Sequence, residues 1–586
     1  MYEKNYLCSP TQQIKMKKNL TLLLLSYLSL TFAQVGVTPP KGFKITYLKS
    51  SNGKLVENQD PILVFTNEIE TLVTTQNTNS GKTTFPYEQT FINRSENAFV
   101  QLAQMSASKS ITTTDSLSLG KQTFEITQET KTVLGYKCQK AKTSINSNTI
   151  ELWFTNELKV KGAPTVLGQN LGLVLEMVRN GNFVITATKI EKLKAVKPSH
   201  IVQSSFNGKN VDQLTYRDLL WKSRFTTIPV FENETINFSD ASTRGKAESS
   251  EAKSNDSILR FANGTIILKK VRFPKINSGS QVFVDLLEQS NGDAYDRTGS
   301  VFVIPTDAKI SFLDGLRNGS KTLPIFENGN GKQYQGVIRT SDYTPLLELM
   351  RFFTPFGIKQ FNHIQLKDKT WYEAVPYRQD ISELQSQLSE KECWVGTFIG
   401  NYDKGGHKIS MNITIHNEES TSAKNTFVLP LFNTTNVMEM AGQEYATMFN
   451  SDKGLEVTFT LDNDVKNAKL RYITTGHGGW KNGDEFVPKK NTILLNGKEI
   501  HAFIPWRQDC GSYRLFNPAS GNFPNGLSSS DYSRSNWCPG TVTNPNLIDL
   551  GDLKAGKHTI QIMIPQGAPE GTSFSAWNVS GVLIGN

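Results

Sequence analysis

Asn491-Thr-Ile-Leu-Leu495, then Asn496-Gly497, then Lys498-Glu-Ile-His501 is the stretch that decides the fold class. Asn-Gly between two strand-prone runs is the strongest short signal for a tight hairpin, because both turn positions need positive φ. Working outward, His558-Thr-Ile-Gln-Ile-Met-Ile564 alternates apolar with polar residues, which places one face in a core. Ser300-Val-Phe-Val-Ile-Pro305 is a buried-strand run stopped by proline. Ile62-Leu-Val-Phe65 and Phe183-Val-Ile-Thr-Ala187 carry the same pattern toward the N-terminus. Helical spacing is rare. It predicts a short connecting helix within residues 211–223 and another over 381–390. The polar, charged stretch 239–257 is expected to be an exposed loop. Many short strands separated by Gly, Pro and Asn turns imply a mainly β protein of antiparallel sandwiches or jelly rolls.

A chain of 586 residues is too long for one ordinary core and implies three or four domains. With 37% hydrophobic and 20% charged residues it is neither collagen-like nor disordered. The net charge of +9 comes from scattered lysines with no basic run interleaved with aromatics, so no nucleic-acid partner is expected. Met16-Lys-Lys18, the apolar run Leu20–Phe32 and Ala33-Gln34 have the layout of a secretory signal, with Met16 the expected start. The run is shorter than the ~20 residues of a membrane span, and no other segment qualifies, so no membrane partner is expected. A secreted or periplasmic location follows.

Cys8 leaves with the signal; Cys138, Cys393, Cys510 and Cys538 remain in a compartment that permits pairing. Cys510 and Cys538 enclose a Gly, Ser, Asn and Pro-rich stretch with little core of its own. A bridge there would contribute about 3 kcal/mol through loop closure. A metal reading fails on spacing, since no Cys-x-x-Cys or His-x-x-x-His pair occurs. The spacing leaves Cys138 and Cys393 open to pairing or to remaining free.

Two stretches carry family resemblances. Leu134-Gly-Tyr-Lys-Cys-Gln-Lys-Ala141, Ile150-Glu-Leu-Trp-Phe-Thr155 and Leu167-Gly-Gln-Asn-Leu-Gly-Leu-Val-Leu-Glu176 resemble the GLPGLI family of exported bacterial proteins, which implies a β-rich module and no defined activity. Further on come Asp293-Ala-Tyr-Asp296-Arg297, Arg351-Phe-Phe-Thr-Pro-Phe356 and Leu470-Arg-Tyr-Ile-Thr-Thr-Gly476-His-Gly478. Gly483-Asp-Glu485-Phe and Arg534-Ser-Asn-Trp537-Cys538-Pro-Gly540 follow. In order and spacing these resemble the peptide-N-glycosidase F family, and the extra N-terminal domain looks like its longer, type II branch. The resemblance implies two jelly-roll sandwiches side by side, the active site in the cleft between them, and N-glycosylated peptides or glycoproteins as substrates. The expected layout is a signal region 1–33, a β-rich domain 34–210, a first jelly roll with connecting helix 211–415, and a second jelly roll 416–586. A monomer without cofactor or metal is expected.

Hydrolysis of the asparagine side-chain amide needs a carboxylate that deprotonates or positions water and a group that delivers a proton to a poor leaving group. The resemblance puts Asp296 in the first role, or in polarising the substrate, and Glu485 in the second, or as a ligand of the first sugar. Arg297, next to Asp296, would lower its pKa and keep it ionised. Asp293 and Tyr295 match positions lining the sugar site, with tyrosine in place of the family's tryptophan. Arg534 and Trp537 match a sugar-contacting pair. His477 stands where the family has tryptophan, its Gly-rich setting suits close approach of a ligand, and Trp480 is placed to take over the aromatic role. The family's cysteine pair flanking Glu485 is missing. Its third carboxylate does not transfer either: Ile399 or Gly400 stands there, with Asp403 the nearest acid. Read without the resemblance, Asp296 and Glu485 are turn residues and Trp537 is core packing. That missing carboxylate supports a non-catalytic, lectin-like alternative. A copper monooxygenase would need clustered histidines, which the seven here do not form. A glycosidase would cut between sugars and leave asparagine intact.

Overall fold

The computed structural model describes residues 42–194, 208–238, 258–361, 366–416, 427–478, 483–519, 529–569, 571 and 573–586. The expected signal region, the loop 239–257 and Trp480 lie outside the described residues. The chain forms two compact units, 1–216 and 217–586. Among the described residues no helix is long and apolar enough to cross a membrane.

The first unit is built on one 13-stranded sheet. Its first strand, Gly42–Ser51, pairs antiparallel with Ile62–Thr66 on one side and Phe183–Leu193 on the other. Successive hairpins extend the sheet in both directions, and the short strand Lys209–Asn210 joins Lys109–Asp115 in parallel. Ile45, Tyr47, Val64, Leu173, Leu175 and Ile185 fill its main core, and Cys138 lies in it as a free thiol.

The second unit holds two antiparallel jelly-roll sandwiches. In the first, a four-stranded sheet runs Thr226–Ile236, His407–His416, Gln281–Ser290, Val375–Asp380. It faces a six-stranded sheet ordered Ile258–Phe261, Ile266–Arg272, Glu392–Ile399, Thr298–Ile304, Leu347–Phe353, Val542–Thr543. Alternate residues Val282, Val284 and Leu286 meet Ile409, Met411 and Ile413 in the core, as the period of two requires. In the second, Phe427–Asn433, Ser575–Gly585, Val465–Gly478 and Asn546–Leu553 face Leu455–Leu461, Gly556–Met563, Asn491–Leu495 and Lys498–Phe503. Asn496 and Gly497 both take positive φ, +52° and +80°, so the Asn-Gly hairpin forms as its sequence demands.

The helix Gln213–Lys222 lies within the segment whose spacing predicts it. The expected helix over 381–390 is instead a six-residue 3₁₀ stretch, Ser382–Gln387. Ile381, Leu384 and Leu388 are all drawn into the first core, and Asp380 ties down both Ser382 N and Oγ, which holds the turn tight. The α-helix Phe312–Asn318 was not anticipated, although Ser311 and Asp314 form a capping box at its start.

The two sandwiches share side chains. All eleven residues of Ser575–Gly585 are buried. Val582 and Ile584 pack in the first core, while Val579 and Leu583 pack in the second. Phe326, Tyr334 and Val337, from the first half of the unit, also belong to the second core. Between the sandwiches lies a polar cluster that is buried except at Glu383. Arg351 donates Nη2 to Glu348 at 2.7 Å and to Thr435 at 2.9 Å, and Nη1 to Thr475 at 3.2 Å. Arg471 donates to the carbonyls of Glu348 and Leu349 and to the Glu383 carboxylate. Such a cluster adds little net stability over an apolar core, but it tolerates only one register of one sandwich against the other.

Candidate active site

Asp296 and Glu485 come from different sandwiches and meet on one atom. Arg534 Nη1 donates to Asp296 Oδ2 at 2.8 Å and also to Glu485 Oε1. Arg534 is buried, while the Asp296 and Glu485 side chains retain 13% and 18% exposure, so the carboxylates keep a narrow solvent-facing edge over a buried guanidinium. Arg534 Nη2 donates to the Ser529 carbonyl at 2.7 Å, and the guanidinium lies 4.4 Å from the Trp537 ring and 5.1 Å from the Phe486 ring.

The loop bearing Asp296 is shaped by its neighbour. Asp293 is buried: Oδ1 accepts from Tyr295 N at 3.0 Å and Oδ2 from Arg297 Nε at 2.6 Å. Thr354 clamps the loop from outside, accepting from Arg297 N at 2.8 Å and donating to the Tyr295 carbonyl at 3.1 Å. Behind Asp293 sits buried His407, with Nδ1 2.8 Å from Glu288 Oε1 and Nε2 3.6 Å from Asp293 Oδ2. Burial opposes a charged imidazole, but the two flanking carboxylates outweigh it and push His407 up to about 9. Burial would likewise raise Asp293, yet His407 and Arg297 bring it down to about 2.

Glu485 is presented by Asp484 in the same way. Asp484 Oδ2 accepts from Trp577 Nε1 at 2.7 Å, its amide donates to Ser575 Oγ at 3.1 Å, and Ser535 N donates to the Glu485 carbonyl at 2.9 Å. The missing cysteine pair is thus no loss to this turn. Burial raises Glu485 to about 7, assisted by the charge of Asp296 and opposed by Arg534. Burial raises Asp296 too, with Arg534 the main restraint.

This corrects one expectation. Arg297 lowers Asp296 only through space, since its guanidinium is committed to buried Asp293; Arg534 is the cation that Asp296 meets, and burial raises the acid all the same. Asp293 itself faces the protein rather than a ligand. Tyr295 is exposed, and Arg297 lies between its ring and that of Tyr402, at 5.1 and 5.6 Å. Trp537 is buried, stacked on Phe353 at 4.3 Å with Nε1 donating to the Gly476 carbonyl at 2.9 Å, and so floors the site beneath Arg534. His477 bonds Thr475 Oγ1 at 2.8 Å, and burial together with Arg351 and Arg534 lowers it to about 3, which keeps the imidazole neutral. Gly476 is glycine for packing: a Cβ there would lie 2.8 Å from both Ser535 and Trp577. Asp403 accepts from Gly405 N and Gly406 N and builds its own turn.

Sequence reasoning missed Glu288, His407, Asp484 and Tyr402. The first two were within reach, since each continues the inward face of an alternating strand, after Leu286 and before Ile409.

Cys510 and Cys538 form the expected disulfide, which fits an oxidising compartment and staples the loop carrying Arg534 and Trp537. Cys393 is a buried free thiol. Reduction of that bridge is expected to lower stability by about 3 kcal/mol, read from urea unfolding with and without reductant, and to reduce turnover because Arg534 loosens.

A pair of jelly rolls joined through shared strands carries two carboxylates on a buried arginine at their junction, a set with the chemistry that acid–base hydrolysis requires. Three family models match in succession: "N-glycanase peptide, N-terminal domain" over residues 45–218, "Peptide-N-glycosidase F, N terminal" over 227–415, and "Peptide-N-glycosidase F, C terminal" over 444–584. The chain belongs to the peptide-N-glycosidase F family. Two solved structures of PNGF-II are similar over 93% of this chain. One has 59% identity, 98% coverage of its own chain and a TM-score of 0.83; the other has 60%, 99% and 0.84. The search of curated proteins returned no match. The module whose motifs suggested the GLPGLI family is matched here by the N-glycanase N-terminal model.

Proposed function

We propose that this N-glycanase releases N-linked glycans by hydrolysing the glycosylasparagine amide, with Asp296 as base and Glu485 as acid. The observation that carries the assignment is the meeting of both carboxylates on one buried guanidinium nitrogen, with Glu485 raised to about 7. Burial raises both acids and Arg534 restrains both, so an ionised member of the pair favours a proton on the other; base is assigned to Asp296 and acid to Glu485 by their places in the family motifs. Asp296 removes a proton from water as its oxygen adds to the asparagine side-chain carbonyl carbon. The C–N bond then breaks, and Glu485 protonates the departing nitrogen. The products are aspartate in the peptide and a glycosylamine. Tyr295, Arg297, His477 and Trp480 are proposed as the sugar-binding set. A lectin has no use for two carboxylates held against burial on one arginine, which disfavours the lectin-like reading.

The chain is proposed to be exported through a signal within residues 1–33, with domains 34–210, 211–415 and 416–586. It acts as a monomer on glycopeptides and glycoproteins and engages neither nucleic acid nor membrane.

The test is incubation with an N-glycosylated peptide and mass spectrometry of the peptide product. The expected peptide has lost its whole glycan and carries aspartate for asparagine. Asp296→Ala is expected to lower kcat by about 10³-fold. A peptide retaining one N-acetylglucosamine would mean a glycosidase, and an untouched peptide that still binds would mean a lectin. The pH profile of kcat should have its alkaline limb near 7, where Glu485 loses its proton, and Glu485→Gln should remove that limb.

A further inference from the structure

A groove of about 620 Å³ opens elsewhere on the second unit, where three sheet edges meet. The strands Val375–Asp380 and Val542–Thr543 close the two sheets of the first sandwich, and Asn546–Leu553 closes one sheet of the second. Asp296, Glu485 and Arg534 take no part in its lining. The disulfide loop does: Asn536 lines the groove, while its neighbour Trp537 floors the active site.

Its chemistry is polar without net charge. Arg507 is neutralised by Asp509 through bonds of 2.9 and 2.7 Å, and Arg378 by Asp285 at 2.7 Å. What remains is amide, hydroxyl and ring: Asn544, Asn546, Thr541, Tyr513 and Phe516. Tyr372, 54% exposed, lies 4.9 Å from the Phe516 ring at a tilt of 30° and extends the aromatic ledge. Side-chain amides donate and accept at once, as sugar hydroxyls do, and aromatic faces stack on the apolar face of a pyranose. A peptide adding as a strand is disfavoured, because Pro376 removes a donor from the edge strand Val375–Asp380 and Pro545 interrupts the chain between the other two edges.

We propose that this groove is a second carbohydrate site, holding a neutral oligosaccharide of the substrate glycoprotein other than the glycan being cut. The source of the ligand rests on the amidase reading; the class of ligand rests on the groove.

The probe is the free pentasaccharide of three mannoses and two N-acetylglucosamines, counted on the full chain by native mass spectrometry. Asn544 is exposed, and Asn544→Trp fills the groove without touching the core. The variant is expected to hold one oligosaccharide fewer than the unmodified chain, and Asn546→Ala to weaken that same binding. Turnover of a short peptide with one glycan should be unchanged in Asn544→Trp. Release from a protein bearing several glycans should slow by about threefold as the second attachment is lost. Equal counts in all three proteins overturn the proposal. Loss of turnover on the short peptide overturns it too, by making the groove part of the catalytic cleft. A chain without amidase activity that still shows the difference in counts would sink the amidase reading and leave the groove standing.

Discussion

Arg534→Met is expected to lower kcat by about 10³-fold, the scale seen when a group holding charge at a reacting centre is removed. Methionine keeps an apolar stem against Trp537 but leaves Asp296 and Glu485 facing each other with no cation. Arg534 restrains the pKa of both acids, so its loss raises both. Asp296 then becomes a base only at higher pH, and both limbs of the residual activity move in the alkaline direction. The stability consequence has a definite sign. Glu485 already sits at about 7, above its ordinary 4.5, so the fold favours its protonated form. That contribution is complete below 4.5 and lost as pH rises through 7. In the variant the loss should extend to higher pH and deepen, since two like charges cannot both ionise in one buried site. Arg534→Lys keeps the charge but gives up the Ser529 bond and the planar fork, and should fall between the two. Profiles of kcat and urea midpoints from pH 5 to 9 test this. An unchanged profile in Arg534→Met would dissociate Arg534 from both acids.

His407→Leu is the second substitution with a large expected effect. It leaves Glu288 buried opposite an apolar side chain, and removing one partner of a buried ion pair costs about 3–5 kcal/mol. His407, raised to about 9 from 6.5, contributes stability that is complete below pH 6.5 and lost as pH rises through 9. Asp293, lowered to about 2, contributes stability present above 3.8 and lost as pH falls through 2. The unmodified protein should therefore lose stability between pH 6.5 and 9 by a term that His407→Leu lacks. Activity should fall as well, because Asp293 forms the turn that presents Asp296. The double variant Glu288→Gln/His407→Gln replaces the charged pair with a neutral one, and should recover most of the stability. Urea unfolding of the three proteins across that range decides it; parallel stability curves would mean that His407 is neutral in the fold.

How much of this was legible follows from the range of each interaction. The Asn496-Gly497 hairpin and the alternation ending at Ile564 are local, and both stand as read. The buried run Ser300–Pro305 likewise became the strand Thr298–Ile304. The stretch 381–390 misled because its apolar spacing serves burial in a sheet core, which two 3₁₀ turns satisfy as well as an α-helix. The paired cysteines were readable because they frame a loop without a core. The acid pair was found only through its family resemblance, since bare sequence shows two turn carboxylates. The arginine joining them was placed at a sugar instead: it lies 238 residues from Asp296, and nothing local marks that distance as short in space. The adjacent Arg297 made a more obvious partner, and only the buried Asp293 explains why it is not one.

The strand Ser575–Gly585, buried on both faces, makes the two sandwiches a single piece of masonry with a common wall. Neither could be excised by recombination and kept folded, because the first would lose Val582 and Ile584 and the second Phe326, Tyr334 and Val337. The gap between Asp296 and Glu485 is therefore set when the chain folds, and it is inherited whole. Because that common wall ties both cores together, the fold resists any widening or narrowing of the gap, like a calliper clamped at one setting.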